Sequence, residues 1–486
     1  MLKKRIVASS ILFLMAFVLI STRTGYLLLK DNQNSEYKIS NQVTSNSVLY
    51  FPRGEIMDRN GIVLSGKVKE GDVSLKDYTA TVGKDVIGEL TYDENNTTES
   101  GVKGVSGLQL LYDSQLNGGN PIKVAMYSDA KGENINNESA LVYGDHLNEG
   151  TSLVTTLDYA IQKMVEDHLK SVVEQNKYKG VAAVVTDVET GDILAMVSEG
   201  DETNKGLLAY QPGSVFKILV YAKALEANIV DLDTKFQCNG SIDIDGVTKS
   251  CSSSEGHGEI TLTDAFAQSC NIGAYEIASL LNQQDTNGKL IYNNVLDLAK
   301  EFGFQDDSHE RVKEFPLSYD YSSPSIPTKV FNNMDVFNLA LGQGEVMASP
   351  LTINKIISTI ANDGVYIEPR IILNEIHPLG EETEHETTEK QVFSKEVNDK
   401  LKIILEEVCK TGTGKENTLS DYGGMAGKSG TAQHLSEKEN HGWFTGYFPA
   451  NAPKYAMTIL VEEGGTSSET ALPIFNDIAK KILESN

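Results

Sequence analysis

Three short stretches hold the residues that could do chemistry. The first is Gln211-Pro212-Gly213-Ser214-Val215-Phe216-Lys217. Pro-Gly breaks the chain ahead of an apolar helical pattern, so Ser214 falls at a helix N-terminus and Lys217, three residues on, shares its face. That end of a helix carries roughly half a positive charge and unpaired N–H groups, which suits an oxyanion forming beside Ser214. A serine hydroxyl attacks only when a neighbouring base takes its proton. Lys217 can be that base when neutral. Bringing a lysine from about 10.4 to near 7 costs roughly 4–5 kcal/mol, to be met by burial and a second cation. A plain helix cap is the competing reading of Ser214. Ser35 with Lys38 and Ser128 with Lys131 repeat the S-x-x-K spacing, but neither precedes a long apolar helix.

The second stretch is Ser269-Cys270-Asn271, which follows the amphipathic run Leu262 to Gln268. Its hydroxyl can relay a proton and its amide can bind a peptide group; a polar helix terminus is the alternative. The third is Gly427-Lys428-Ser429-Gly430-Thr431-Ala432-Gln433. Small residues around a strand lysine allow an extended ligand to approach the backbone. Lys428 supplies the second cation, and Ser429 and Thr431 can bind a carboxylate. Lys410-Thr411-Gly412 has the same K-[ST]-G form, but it closes a helix, where Lys and Gly are ordinary punctuation. The Lys428 copy precedes the aromatic strand Trp443 to Pro449 and is preferred.

The elements that must position these groups follow from periodicity. Thr151 to Leu157 reads as a strand, with Asp158 capping a helix from Tyr159 to Gln175. Val181 to Asp187 and Ile193 to Val197 read as strands joined by a turn at Glu189-Thr190-Gly191-Asp192. Helical patterns cover Ser214 to Asn228, Leu262 to Leu281, Val336 to Asn362 and Lys395 to Lys410. Strands return at Gly424 to Ala432, Gly442 to Tyr447 and Tyr455 to Glu462, before a last helix from Ala471 to Glu484. Strands at both ends around a helical middle predict an α+β domain whose sheet is closed by the two ends of the domain. Residues 48–150, with short alternating runs and many Gly and Asn, predict a small, mainly-β module.

The 486 residues include 42 basic and 68 acidic ones, a net charge of −26. Nucleic acid is a poor partner for such a chain. Lys3-Lys4-Arg5 precedes an apolar run from Ile6 to Ile20. A spanning helix needs about 17–25 apolar residues, so the expected order is a tail at 1–5, an anchor at 6–29 and a linker at 30–47. The positive cluster predicts the N-terminus inside and the body outside. No A-x-A-like cleavage site follows, which disfavours a removed signal peptide. Cys238 and Cys251 flank a hairpin centred on Asp245-Gly246, with Ile244 opposite Val247 and Gly240 opposite Cys251. That register puts the two thiols about 7–8 Å apart, at the limit for a disulfide; two free thiols is the alternative.

Taken together, S-x-x-K, S-x-N and K-[ST]-G in this order resemble the motif set of penicillin-binding proteins and serine β-lactamases. Arg53-Gly54-Glu55-Ile56-Met57-Asp58-Arg59-Asn60-Gly61, and Gly104 to Gln109 with Tyr112-Asp113, are similar to N-terminal segments of class B penicillin-binding proteins. Gly342-Gln343-Gly344-Glu345 and His441-Gly442-Trp443-Phe444 also look familiar from that branch. The resemblance implies a β-lactamase/D,D-peptidase-like transpeptidase domain at 151–486, an antiparallel sheet with helices around it, behind a pedestal at 48–150 that leaves no room for a glycosyltransferase domain. It implies a D,D-transpeptidase that forms an acyl-enzyme at Ser214 from a D-Ala-D-Ala stem peptide and passes it to a neighbouring amine. Lys217 would be the base, Ser269 the proton shuttle, Asn271 an amide binder and Lys428 the electrostatic partner. Ser429, Gly430 and Thr431 would hold the substrate, and the N–H groups of Ser214 and Thr431 would form the oxyanion hole. No cofactor or metal is implied. Implied partners are peptidoglycan stem peptides and their lipid-linked precursor, β-lactams as covalent inhibitors, the bacterial cytoplasmic membrane and a glycan polymerase in it. A β-lactamase, a carboxypeptidase and a non-catalytic scaffold on the same fold are the competing readings.

Overall fold

The computed structural model describes residues 13–26, 43–50, 53–66, 80–94, 101–119, 122–127, 141–143, 149–201, 203–305, 323–432 and 440–485. The elements that matter for the site, in chain order, are β1 (Ser152–Thr155), α1 (Tyr159–Asn176), β2 (Gly180–Asp187), β3 (Ile193–Glu199), α2 (Lys217–Glu226), α3 (Leu262–Ala267), α4 (Asn271–Leu280), α5 (Pro350–Ala361), α6 (Lys395–Lys410), β4 (Ala426–Ala432), β5 (His441–Phe448), β6 (Tyr455–Glu462) and α7 (Ala471–Ser485).

Five of these strands form an antiparallel sheet in the order β3-β2-β6-β5-β4. The late strand β6 pairs with the early strand β2, which closes the sheet as the sequence pattern anticipates. Alternate residues feed two cores. Val181, Ala183 and Val185 of β2 and Met457, Ile459 and Val461 of β6 pack with Ile161, Val165 and Leu169 of α1 and Phe475, Ile478 and Ile482 of α7. Ala182, Trp443, Tyr447 and Leu460 face the other way, toward α5 and the helical lobe built from α2, α3, α4 and α6. Helices on both faces explain why these strands read as continuous apolar runs.

Helix α1 begins where expected: the Asp158 carboxylate accepts from the N–H groups of Ala160 and Ile161. Three continuous helical patterns turn out to be interrupted. The run from Leu262 to Leu281 breaks into α3 and α4 at Ser269, whose φ of 55° no helix accommodates. The run from Val336 to Asn362 divides into Asn333–Ala340 and α5. Gly342 and Gly344 take φ values of 62° and 68° between them, and Ser349 caps α5 with Pro350 at its first position. The run from Ser214 opens as a 3-10 turn, Gly213–Phe216, before α2. Each break occurs where backbone is diverted into the site.

A second sheet runs in the order Glu382–Glu384, Ile372–Ile376, β1, Ile56–Met57, Val63–Ser65. Ile56–Met57 lies parallel to β1, so the Arg53 to Gly61 segment is joined to the strand that leads into α1 by main-chain pairing. Arg53 is buried. Its Nε donates to Gln109 Oε1 (2.9 Å), Nη2 to Gln109 O (2.9 Å), and Nη1 to Asp113 Oδ1 (2.8 Å) and Asn117 Oδ1 (2.6 Å). The two N-terminal segments singled out in the sequence are therefore halves of one network. Asp58 closes its own turn, accepting from Asn60 N and Ile62 N, and reaches Tyr159 N at 3.1 Å at the head of α1. Residues 13–26 are helical, with exposed apolar side chains from Phe13 to Ile20; the rest of the expected anchor lies outside the described residues. Among the described residues, no helix is long and apolar enough to cross a membrane.

Removing the guanidinium takes a donor from buried Gln109 and from half-buried Asp113, which among the described residues keeps only Gly104 N at 2.7 Å. Arg53→Ala should therefore cost about 3 kcal/mol. Arg59, partly exposed and 3.5 Å from Asp192, should cost under about 1 kcal/mol on the same change. Urea unfolding midpoints of the two variants check the difference.

Candidate active site

In the 3-10 turn residues three apart eclipse one another, so Ser214 and Lys217 do lie on one face. The turn is gripped from behind. Gly213 N donates to Gly342 O (3.0 Å), Gln211 Nε2 to Gly344 O (2.9 Å), and Trp443 Nε1 to Gln211 O (3.1 Å). A β-carbon on Gly342 would come within 2.4 Å of Gly213 O. From the front the turn meets β4. Gly213 has φ 57°, and a β-carbon there would sit 2.8 Å from Thr431 O; one on Gly430 would sit 2.9 Å from Val215 Cγ1. Only glycine permits both the conformation and the approach. Gly342 to Glu345 and His441 to Phe444, given no role in the sequence, are thus the buttress of Ser214.

Beneath the turn two lysines converge on one hydroxyl. Lys217, fully buried, donates through Nζ to Ser269 O (2.7 Å), Ser269 Oγ (3.2 Å) and Asn271 Oδ1 (2.8 Å). Lys428, also fully buried, donates to Ser269 Oγ (3.0 Å) and Ser429 O (2.9 Å), with Nζ 5.6 Å from the centre of the Phe266 ring. The φ of 55° at Ser269 is what turns its hydroxyl and carbonyl toward the lysines at the junction of α3 and α4. Among the described residues neither lysine has a carboxylate partner. Burial pushes Lys217 down to about 8. Lys428 is held well below its usual value, by burial first and by repulsion from Lys217 second. Two ammonium groups on one hydroxyl in a dry site repel strongly, so the favoured state carries one proton between them.

Ser214, Asn271 and Thr431 are half-buried while Lys217, Ser269, Lys428 and Ser429 are buried. Asn271 Nδ2 donates to Ser250 O (3.4 Å). Thr431 Oγ1 accepts from Ser467 N (3.3 Å), and Ser467 Oγ donates to Trp443 O (2.5 Å). Lys410 stands on the exposed end of α6 paired with Glu406 at 2.8 Å, away from these groups. Its loop is not mere punctuation, however. Thr413 Oγ1 lies 2.5 Å from Ser429 Oγ and Thr413 N donates to Ala267 O (3.1 Å), which ties β4 to the end of α3.

All four cysteines are free. The hairpin register is as expected, Ile244 opposite Val247 and Cys251 N bonded to Gly240 O at 2.8 Å. Cys251 does not face Cys238 alone: Cys238, Cys251, Cys270 and His257 offer donor atoms all within 4.8 Å of one another. The sequence reading passed over this set because its spacing, C-x12-C-x5-H-x12-C, is that of no short metal motif.

The family described as the penicillin-binding protein transpeptidase domain matches residues 181–483. The chain belongs to that family, and the class B resemblance holds across its relatives. It is 28% identical over 414 residues to stage V sporulation protein D of Bacillus subtilis, covering 78% of this chain and 60% of that one. It is 28% identical over 371 residues to penicillin-binding protein PbpB of Mycolicibacterium smegmatis, covering 69% and 55%. The chain thus spans a little over half the length of these curated relatives. Among solved structures, penicillin-binding protein 3 of Mycobacterium tuberculosis complexed with aztreonam has a TM-score of 0.70 at 23% identity, covering 91% of this chain and 97% of that one. The D,D-transpeptidase domain of the Eggerthella lenta peptidoglycan glycosyltransferase has a TM-score of 0.67 at 25% identity, covering 89% and 98%.

Proposed function

We propose that the chain is a peptidoglycan D,D-transpeptidase working through an acyl-enzyme at Ser214. The observation that carries this is the pair of buried lysines meeting on Ser269 Oγ beneath an accessible Ser214. Ser214 Oγ attacks the carbonyl of the penultimate D-Ala and gives its proton to neutral Lys217. The N–H groups of Ser214 and Thr431, brought together by the glycine contacts between turn and strand, stabilise the oxyanion. The proton passes through Ser269 to the departing D-Ala nitrogen as the C–N bond breaks. An amine from a second stem peptide then attacks the ester; the C–O bond to Ser214 breaks, the amine's proton returns by way of Lys217 to Ser214 Oγ, and the peptide bond formed is the cross-link. Asn271 binds a substrate amide, while Ser429, Gly430 and Thr431, with Lys428 behind them, receive the terminal carboxylate. A β-lactam enters by the same attack and leaves Ser214 acylated.

The exposed apolar face of residues 13–20 and the Lys3-Lys4-Arg5 cluster support a single-pass anchor at 6–29 in the bacterial cytoplasmic membrane, with residues 30–47 as linker. The catalytic domain would then stand outside, on a pedestal at 48–150, where the stem peptides and lipid-linked precursors are. A glycan polymerase in the same membrane is the natural partner for a chain that cross-links stem peptides.

Fluorescent penicillin should label the wild type and Lys410→Ala alike and fail to label Ser214→Ala; equal labelling of the Ser214 variant would remove the nucleophile assigned here. Because the base acts neutral, acylation should rise about tenfold per pH unit up to roughly pH 8 and level off above it. Stopped-flow acylation between pH 6 and about 9.5 measures this limb, and a flat profile contradicts Lys217 as base.

A further inference from the structure

We propose that Cys238, Cys251, Cys270 and His257 bind a single zinc ion that fixes the Ser269-Cys270-Asn271 turn. Cys251 Sγ and Cys270 Sγ lie 3.7 Å apart, Cys251 Sγ is 3.6 Å from His257 Nδ1, and Cys238 Sγ is 3.4 Å from the same nitrogen. A tetrahedral site with Zn–S near 2.3 Å and Zn–N near 2.0–2.1 Å has S···S edges of about 3.8 Å and S···N edges of about 3.5 Å. Three of the six edges already have about these lengths, and all four donor atoms lie within 4.8 Å of one another. They arrive from separate segments: Cys238 from the end of the strand Lys235–Cys238, Cys251 from just beyond the hairpin strand Val247–Ser250, His257 from the next loop, and Cys270 from the head of α4. Cys238, Cys251 and Cys270 are buried, and main-chain N–H groups point at two of the sulfurs, Asn271 N at Cys251 Sγ and Gly273 N at Cys270 Sγ, both at 3.4 Å. Such N–H···S bonds are the outer support that metal thiolates require.

Three thiolates and an imidazole in a tetrahedron are a zinc donor set; iron–sulfur clusters ordinarily take four cysteines. Four protein ligands leave no open position, so the ion is structural rather than catalytic. Its position gives it a consequence for the reaction. Cys270 separates Ser269 from Asn271, both of which hold Lys217, and Asn271 N bonds to Cys251. A metal here clamps the turn that keeps Ser269 at its positive φ. The metal site stands by itself; only its effect on acylation rests on the function proposed above.

The test is metal analysis of the full chain, purified reduced in detergent from zinc-supplemented cells. One zinc per chain is expected, released together with thiol reactivity on denaturation in chelator. Cobalt(II) added to the stripped, refolded protein should raise a thiolate-to-metal charge-transfer band with tetrahedral d–d bands. Cys409→Ser, a buried cysteine outside the cluster, should keep the zinc, while His257→Gln should weaken zinc binding at least about tenfold. In the wild type, zinc removal should slow acylation by fluorescent penicillin and lower the melting temperature. Wild-type protein that holds only substoichiometric zinc and gives no cobalt–thiolate band overturns the site, as does a disulfide among Cys238, Cys251 and Cys270. Stoichiometric zinc whose removal leaves acylation unchanged would keep the site and overturn the clamp.

Discussion

Two lysine amines held on one serine hydroxyl, with no carboxylate partner among the described residues, is the constraint from which the rest of this site follows. In water two ammonium groups would simply separate. Here Lys217 comes from a helix packed in the core and Lys428 from the edge strand of the main sheet, so neither can retreat. Burial lowers Lys217, and at Lys428 repulsion from Lys217 adds to burial, so the pair does not hold two full charges. Burying such a pair costs stability, and ionisable groups perturbed in this way cluster at functional sites.

The surrounding architecture reads as the means of enforcing that arrangement. The central sheet is covered on both faces, which fixes β4 rigidly enough to carry Lys428. Gly213, Gly342 and Gly430 let three backbones meet at the serine turn with no side chain between them. Trp443, Gln211 and Thr413 then lock those backbones through hydrogen bonds. The Arg53 network does the equivalent task farther away, holding the N-terminal segments to the sheet that contains β1.

Much of this was legible in the sequence, for reasons that can be named. Strands β2, β3, β5 and β6 are long apolar runs because both their faces are buried, and α6 kept its full expected length because its stripe is regular and Ser394 caps it. The candidate site was legible because Pro212-Gly213 breaks the chain before an apolar helix and small residues flank Lys428 on a strand, whereas Ser269 stood out only through its Ser-x-Asn spacing. What escaped was anything decided by tertiary approach. Periodicity runs straight through Ser269, since nothing in the local pattern announces that its backbone turns left-handed. Thr413 looked like loop residue because its partner, Ser429, is supplied by a different element. Cys238, Cys251, Cys270 and His257 looked unrelated because the loops that gather them have no standard length.

The claim at the centre of this account, that the lysine pair activates Ser214 and no other hydroxyl, is tested most directly by locating the bond that a β-lactam forms. Intact-mass and peptide mapping after brief exposure to benzylpenicillin should find one adduct per chain, on the peptide containing Ser214. An adduct on another residue, or an unmodified chain under conditions where the fold is intact, would contradict it.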